Sequence, residues 1–348
     1  MLCAMLMLIF LTLSKGINCL LPDHRIYTET HAVDLSGRKL TAIPQNIPID
    51  TEILDLSNNE LQIIPNDVFV NLSKILTLDL SANKINAILK DAFNGLSIIE
   101  SLDLTANQLT WKSFQIGSFK KLTSLKNLHI SKNPDRGDSS IVFSDELYRL
   151  QFLETLALDA IETDQLNEFK CFKNLTSLSF LENSMVVTNK TFEGLKDTPV
   201  EELEIKITNV ENNAFIFFPK LQRLTLNLNW RSVSLEKIFP ALEVFKGRRM
   251  TSITLYGNKE VNNFRLGKSH LQYLWDICLR ELHLPYNNII NIDADGFSTF
   301  AKKSTCLEVF DMSDNRLSLE DFYWFMSIHF FKNLKVMRFS KFGISPSS

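Results

Sequence analysis

The chain has 348 residues, of which 45% are hydrophobic and 22% are charged, and its formal net charge at pH 7 is −3. These proportions exclude a disordered or strongly basic chain, and the overall charge gives no indication of a nucleic-acid-binding surface. The length would allow two globular domains. A repeat in the sequence predicts a single array instead, because a solenoid has no upper size limit of the globular kind.

The segment from Met1 to Leu13 (MLCAMLMLIFLTL) is apolar without interruption, and small residues follow at the positions typical of a cleavage site. This pattern predicts a secretory signal peptide over residues 1–16. The alternative is a membrane anchor, which would need about 18 or more apolar residues. We therefore expect an extracellular protein, and the rest of the sequence contains no second apolar stretch of that length.

Residues 17–50 are expected to form an N-terminal cap. Within them, the segment THAVDLSGRKL has the apolar positions of the repeats that follow, including Val33 and Leu35, but carries Arg38 where those repeats carry Asn. The cap is therefore predicted to begin the array as an incomplete repeat.

One pattern is then written three times at equal spacing, as TEILDLSNNEL, ILTLDLSANKI and IESLDLTANQL. Each copy has apolar residues at positions four, six and eleven and Asn at position nine, which is the leucine-rich repeat L-x-x-L-x-L-x-x-N-x-L. Positions four and six predict a short strand with one buried face. Because one repeat cannot bury that face alone, the copies must stack. The predicted fold is an α/β solenoid, a leucine-rich repeat horseshoe with a parallel β-sheet on the concave face and irregular or short helical convex segments.

The pattern predicts about twelve repeats over residues 51–345 and a tail at residues 346–348. Their spacing varies, and with a strand of fixed length the convex segments and lateral loops would absorb the variation. We expect the ninth-position amides to form a structural column that serves the backbone of adjoining turns. That column is Asn59, Asn83, Asn107, Asn133, Asn183, Asn229, Asn258, Asn287 and Asn315. The exceptions are Ile161, Thr208 and Phe342.

The chain is rich in Phe, and six Phe residues stand ten positions after an Asn of the column. They are Phe69, Phe93, Phe143, Phe239, Phe297 and Phe325. An aromatic row at a fixed phase predicts a second internal stack. The segment LSLEDFYWFMSIHFF, residues 317–331, is expected to form a convex helix over the same core.

Cysteine positions predict one disulfide bond. Cys278 and Cys306 each stand directly before position one of consecutive repeats, and neighbouring strands lie about 4.8 Å apart, which is within disulfide reach. The alternative is two separate thiols, and secretion favours the bond. Cys19 and Cys171 are separated by too many stacked turns to pair with each other. One of them would be free or intermolecular.

The strand positions that face away from the core form a candidate ligand face. Asp55, Asp79 and Asp103 give it an acidic row, although Asp is also common in the repeat pattern itself and the row would then be only a solvated ladder. His129 and His283 occupy strand position five and face outward. They are either pH-sensing ligand contacts or solvated side chains.

A second candidate for ligand contact is basic and surrounds the irregular repeat near Met250. It consists of Lys246, Arg248, Arg249, Arg265 and Lys268. An anionic ligand would dock there, unless the loop is merely solvated. A separate acidic spot is formed by Glu201, Glu202 and Glu204.

No catalytic or cofactor motif is recognisable in the sequence. The patterns H-E-x-x-H, G-x-S-x-G, G-x-G-x-x-G and the Walker loop are missing, and the His residues do not have metal-ligand spacing. We therefore predict neither an enzyme nor a cofactor or metal site. Three N-x-S/T sequons predict glycan attachment at Asn71, Asn174 and Asn189, and the ligand would bind where glycans do not shield the solenoid.

The cap HAVDLSGRKLTAIP, the repeats ILDLSNNELQIIPNDVFVNL and ILTLDLSANKINAILKDAFNGL, and the irregular later repeats resemble the N-terminal part of a Toll-like receptor ectodomain. The resemblance extends over nearly the whole predicted mature chain. It implies innate immune recognition of a microbial or endogenous ligand, pairing with a partner receptor chain, and a membrane span and signalling domain elsewhere in the receptor. The alternative is a secreted leucine-rich repeat matrix or adhesion protein that binds other proteins.

The array ends after Phe339 without a Cys-rich C-terminal cap. The expectation from this ending is a receptor fragment, the ectodomain of a single-pass receptor, or a secreted short form that acts as a decoy.

Overall fold

The computed structural model describes residues 31–133, 147–159, 165–228, 235–258, 264–318 and 322–339. Its strands are β1 (Ala32–Asp34), β2 (Ile53–Asp55), β3 (Ile63–Ile64), β4 (Thr77–Asp79), β5 (Ala87–Ile88), β6 (Ser101–Asp103), β7 (Asn127–His129), β8 (Thr155–Leu158), β9 (Ser177–Val187), β10 (Glu202–Val210), β11 (Arg223–Leu228), β12 (Arg249–Tyr256), β13 (Phe264–Leu266), β14 (Cys278–His283), β15 (Ile289–Ile292), β16 (Val309–Met312) and β17 (Val336–Phe339).

A single parallel sheet runs through the described part of the array. It contains 13 strands, namely β1, β2, β4, β6 to β12, β14, β16 and β17, and each strand lies beside the next one in chain order. Two small sheets, β3–β5 and β13–β15, lie in the segments between these strands. The sheet confirms the predicted leucine-rich repeat solenoid. The first of its strands, β1, lies in the cap region and pairs in parallel with β2.

The strands are stacked in register by their leucines. Leu54 pairs with Leu78, and Leu78 pairs with Leu102, so that position four forms one interior row. These three side chains are at most 1% exposed. Each buried leucine contributes on the order of 2 kcal/mol relative to an exposed one. A slip by one residue would turn the whole row to solvent, which fixes the register.

The regular repeats leave the sheet through a left-handed turn at position eight. Asn58, Ala82, Ala106 and Lys132 have φ angles of 54°, 52°, 56° and 59°. This conformation costs an ordinary L-residue roughly 1–2 kcal/mol, so the turn needs support from its surroundings. The Asn at position nine supplies that support.

Six amides of the Asn column bridge neighbouring turns. Asn83 Nδ2 donates to the carbonyl oxygens of Leu56 and Leu80 at 3.0 and 3.1 Å, and its Oδ1 accepts the Leu61 N–H at 3.1 Å. The same pattern recurs at Asn59, Asn107, Asn133 and Asn315. Asn287 spans the turns through the Asn258 N–H and the Leu255 carbonyl. Asn229, Ile161 and Phe342 lie outside the described residues.

The central repeats depart from the expected short strand of fixed length. Strand β9 has 11 residues and β10 has 9, so Asn183 and Thr208 lie inside strands and not at turns. The expectation that the convex segments and lateral loops absorb all of the variation in spacing was wrong here. The strands run on because Ile207 and Val187 place additional apolar side chains in the core, where both are 0% exposed. The register shifts between Ile205 and Ile207 and again before Asn209.

The Phe stack exists, but only part of it follows the predicted spacing. Phe69 and Phe93 stack with their ring centroids 6.4 Å apart, and Phe119 continues the row 6.0 Å beyond Phe93. Phe119 is not in the predicted row, and Phe143 lies outside the described residues. In the central repeats another row is formed by Phe192, Phe215 and Phe245. Because repeat length varies, the residue that reaches the core changes its distance from the column Asn.

The convex segments are short helices and turns. The α-helices are α1 (Leu235–Ala241), α2 (Lys268–Leu271) and α3 (Ala294–Lys303). Asp293 Oδ2 caps α3 by accepting the Gly296 N–H at 2.7 Å. The predicted helix at residues 317–331 is a 3-10 helix over Phe322–Phe330, and its Trp324 packs edge-on against Phe297 with ring centroids 5.2 Å apart.

One disulfide bond joins Cys278 and Cys306, whose Cα atoms are 5.2 Å apart. Cys171 is partly buried against the core, and Cys19 lies outside the described residues. None of the helices in the described ranges is long and apolar enough to cross a membrane.

Candidate recognition surface

Position five of the strands forms one continuous column on the concave face. Beginning at β1, the column consists of Asp34, Asp55, Asp79, Asp103, His129, Ala157, Ser179, Glu204, Thr225, Thr254, His283, Asp311 and Arg338. Apart from Ala157, its members are polar or charged. The structure therefore places the predicted Asp55, Asp79, Asp103, His129 and His283 in one column, with the last of them separated from the others by five strands.

The acidic row has a structural task in the turns. Oδ1 of Asp55 accepts the Ser57 N–H at 2.8 Å, and Oδ1 of Asp79 accepts the Ser81 N–H at 2.8 Å. Asp103 holds the Thr105 N–H in the same way at 2.7 Å. An Asp that accepts the N–H two residues later stabilises a tight turn. The repeat pattern accounts for these carboxylates without a ligand.

The acidic row ends at a pair formed by Asp103 and His129. Their Oδ2 and Nδ1 atoms are 3.7 Å apart, and the side chains are 33% and 42% exposed. Burial raises the pKa of Asp103, but its interactions with His129 and Thr105 outweigh burial and leave its pKa below the usual value. The pair is therefore a solvent-facing electrostatic contact between β6 and β7.

His283 lies between two carboxylates. Its Nε2 is 3.3 Å from Oε2 of Glu281, and its Nδ1 is 3.6 Å from Oδ2 of Asp311. Arg338 approaches the same Asp311 oxygen at 3.5 Å. Burial raises the pKa of Asp311, whereas its bonds to Ser313 and the charge of His283 lower it, with a net lowering. Charges of both signs therefore meet at this end of the concave face.

The centre of the concave face holds a polar contact that sequence reasoning missed. Tyr256 Oη reaches across β11 to Oε1 of Glu204 at 3.4 Å. Burial raises the pKa of Glu204, and the bond from Tyr256 only partly offsets this effect. Beside it, Glu202 forms an ion pair with Arg223. The strand periodicity placed Glu204 on this face, but no local pattern relates it to a tyrosine 52 residues away.

The basic candidates lie on different elements of the fold. Arg248 donates to the carbonyl oxygens of Phe218, Pro219 and Leu221 at 3.1, 2.9 and 3.0 Å, and its guanidinium lies over the Phe245 ring. Burial lowers its pKa. The structure thus uses Arg248 to hold an adjoining turn.

The other basic residues are separated by the fold. Arg249 is exposed at the start of β12 in the main sheet, whereas Arg265 lies in β13 of a small sheet and Lys268 begins α2. Lys246 is 3.2 Å from Asp276 in an exposed ion pair. Of this set, only Arg249 belongs to the concave sheet.

The three sequon asparagines, Asn71, Asn174 and Asn189, are all exposed. Asn174 Nδ2 donates to the Gln151 carbonyl at 3.2 Å. Across the described ranges there is no group of three or more His, Cys, Asp or Glu residues arranged to hold a metal ion.

Comparisons with known proteins agree with this architecture. Residues 50–109 match the family described as leucine rich repeat, and residues 165–299 match the BspA type leucine rich repeat region. No curated protein sequence matches the chain.

Among solved structures, the chain is similar to TLR13 in its complex with ssRNA13, with a TM-score of 0.57 and 22% identity over 90% of this chain and 50% of that chain. It is also similar to the mouse RP105/MD-1 complex, with a TM-score of 0.59 and 19% identity over 88% of this chain and 57% of that chain. The chain thus spans about half the length of these structures. The chain contains leucine-rich repeat regions, and its solenoid has the fold of Toll-like receptor ectodomains.

Proposed function

We propose that this chain is an extracellular ligand-recognition region of the Toll-like receptor type, acting in innate immune recognition and receptor pairing. The observation that carries the proposal is the position-five column, which runs across 13 parallel strands and presents polar side chains to solvent. Such a surface suits binding through many separate contacts. The chain would reach the cell exterior through its predicted signal peptide, and glycans would occupy the three sequons.

The two ends of the concave face offer different chemistry to a ligand. The second carboxylate oxygens of Asp55 and Asp79 form no hydrogen bond with the part of the chain that the structure describes, so they add negative charge at one end. At the other end, Arg338 and His283 lie beside Asp311. A ligand that contacts both ends would need charges of both signs.

The solved relatives suggest the first probes. TLR13 was solved with single-stranded RNA and RP105 with the protein MD-1. The full chain would be tested for binding to a single-stranded RNA oligonucleotide, to purified MD-1 and to collagen. Binding of RNA or MD-1 would support the receptor-type function, whereas binding of collagen alone would support a matrix protein.

Variants then locate the surface. Ser101→Arg and Thr155→Arg place long side chains at position three of β6 and β8 on the concave face, without removing a turn contact. Gln272→Arg makes a similar change at an exposed convex position. We expect the concave changes to reduce binding at least tenfold, which corresponds to about 1.4 kcal/mol. An equal loss in Gln272→Arg would rule out the concave face as the recognition surface.

A further inference from the structure

A cavity of about 570 Å³ lies among the convex turns of the first regular repeats, away from the concave sheet. Cavities of this size accommodate small ligands. Its charged lining residues are Lys90, Lys120, Lys121 and Asp91. The three lysines are exposed, and none of them forms an ion pair within the described residues. The cavity is therefore open to solvent and carries a net positive charge.

The backbone at Gly95 forms part of the lining of this cavity. Gly95 has a φ of +95°, and a side-chain carbon there would overlap the Phe69 carbonyl oxygen and lie 2.8 Å from that of Val70. In the next turn, Lys121 occupies the position that Gly95 occupies here, two residues after the buried Phe. The close approach of the two turns thus requires glycine at residue 95.

A second glycine, Gly117, packs against one of the lysines that line the cavity. Gly117 has a φ of +98°, and a carbon added to it would lie 3.3 Å from Cγ and 3.4 Å from Cε of Lys90. The aliphatic stem of Lys90 therefore lies along the Gly117 backbone. Its main-chain N–H donates to Oε1 of Gln115 at 3.0 Å, which ties the two turns together. The position of Lys90 at this cavity is set by packing and by a hydrogen bond.

The remaining lining residues define the class of ligand. They are Val70, Asn94 and Ser97, with the two glycines, so none of the described lining residues is aromatic. A single-stranded nucleic acid is normally held by stacking of bases on aromatic rings, which this lining does not supply. Hydroxyl and amide groups beside ammonium groups instead match a sugar that carries an acidic group. The Asp91 carboxylate can accept hydrogen bonds from sugar hydroxyls.

We propose that this cavity binds an anionic saccharide, with a sulfate or phosphate group on Lys90, Lys120 and Lys121 and the sugar hydroxyls on Asp91 and Ser97. The site is separate from the concave face and does not depend on the function proposed above. A sulfated glycan and a phosphorylated sugar share the chemistry that the lysines recognise.

The test uses the full chain and calorimetric titration with a sulfated tetrasaccharide of the heparin type, its desulfated counterpart, mannose 6-phosphate, sodium sulfate and a single-stranded RNA oligonucleotide. We expect the sulfated or the phosphorylated sugar to bind, and the tighter of the two identifies the source. Equal binding of the desulfated sugar, equal binding of inorganic sulfate, or tighter binding of RNA would overturn the proposal.

Charge-matched variants separate a site from general attraction. The triple change Lys90→Ala, Lys120→Ala and Lys121→Ala should weaken binding by at least tenfold, because charge-assisted hydrogen bonds are lost. The control removes three exposed convex lysines elsewhere, as Lys173→Ala, Lys196→Ala and Lys220→Ala, and should leave binding unchanged. Equal weakening in both triples, or no weakening in the first, contradicts a built site.

Two further variants test the rim of the cavity and the neighbouring sequon. Val70→Glu places a negative charge at the exposed rim without touching the core, and should abolish binding while thermal unfolding is unchanged. Ser73→Ala removes the sequon at Asn71, which lies beside the cavity, and should leave the affinity of the sulfated sugar as it is. Binding seen only in Ser73→Ala would show that the chain's own glycan covers the cavity, and the proposal would fall.

Discussion

The regular repeats over residues 51–109 and the central repeats over residues 175–228 solve the same stacking problem in different ways. In the regular repeats the strands have three residues and end at a left-handed turn, which a buried Asn stabilises. In the central repeats β9 and β10 run on for 11 and 9 residues. A solenoid can therefore exchange a polar column for additional apolar burial without interrupting its sheet.

Asn83 and Thr208, which both stand at position nine of a repeat, show this difference. Asn83 satisfies backbone groups of two turns, and it is 8% exposed. At the equivalent position Thr208 Oγ1 makes one bond, to the Met185 carbonyl at 3.3 Å, while Ile207 beside it is fully buried. Backbone polar groups that lose their turn partners are satisfied by the longer ladder of strand hydrogen bonds.

The largest expected effect concerns the additional buried apolar residues of the central repeats. Ile207→Ala should lower the free energy of unfolding by about 4 kcal/mol, because it removes a buried branched side chain and leaves a cavity. Val186→Ala in the neighbouring strand is the control, since Val186 is 55% exposed, and should cost less than about 0.5 kcal/mol. Urea denaturation of both variants measures the difference. Equal costs would mean that the long strands do not depend on their additional apolar residues.

The next effect concerns the buried Asn of the regular repeats. Asn83→Ala should cost about 3 kcal/mol, because the buried Leu61 N–H and the carbonyls that it serves lose their partner. Thr208→Val, its central counterpart, should cost less than about 1 kcal/mol, since one long hydrogen bond is lost and the shape is kept. The measurement is again urea denaturation. A larger loss of stability in Thr208→Val than in Asn83→Ala would mean that the central repeats, and not the regular ones, depend on the polar side chain at position nine.

A smaller effect concerns the acidic row in the regular turns. Asp79→Ala should cost about 1 kcal/mol through loss of the bond to the Ser81 N–H, whereas Asp79→Asn keeps an acceptor and should be nearly neutral. Thermal unfolding of the two variants distinguishes a turn role from a charge role. If Asn were as harmful as Ala, the negative charge itself would be required.

The smallest effect is on pH dependence, and its sign differs between the two regions. The pKa of Asp103 is lowered in the fold, so its stabilisation is present above the unfolded value of about 3.9 and is lost as the pH falls through the folded pKa. The pKa of Glu204 is raised by burial, so its ionisation opposes folding above the folded pKa. That cost disappears as the pH falls toward the unfolded value of about 4.3.

Urea denaturation between pH 7 and pH 3 would measure these two contributions. Asp103→Asn should remove part of the acid destabilisation, and Glu204→Gln should be more stable than the parent at pH 7 and lose that advantage toward pH 4. The Gln side chain still offers an oxygen to Tyr256, which separates the effect of charge from that of the hydrogen bond. Parallel pH profiles for the parent and Glu204→Gln would contradict the burial argument.

Much of the fold was predictable because a short, local pattern of residues specifies each repeat. Leu54, Leu78 and Leu102 recur at equal spacing, and their alternation with polar residues specifies a strand with one buried face. The Asn column was predictable for the same reason wherever the turn is present. The long strands were not, because the sequence at Thr208 shows only that Asn is missing and not what replaces its hydrogen bonds.

The candidate site was predictable in part. The strand period placed His129, His283 and the three Asp residues on the concave face, where the structure has them. The basic set is divided between different elements of the fold, because proximity in sequence to Met250 does not place Arg249 and Arg265 in the same sheet. The lysine cavity gave no sequence signal, since Lys90 and Lys121 are brought together only by the stacking of successive turns.

The sequence by itself therefore determined the solenoid, its repeat period and the face on which each strand residue lies, because these follow from local alternation and from the need to bury one face of every repeat. Only the tertiary structure decided which polar side chains hold a neighbouring turn, as Arg248 does, and which remain open to a ligand. Those roles depend on the backbone groups that a neighbouring turn presents, and a neighbouring turn lies a whole repeat away in the chain. The physical reason is that the period of the sequence fixes whether each strand side chain points to the core or to solvent. Hydrogen-bond partners and cavities depend instead on the distance and register between stacked turns.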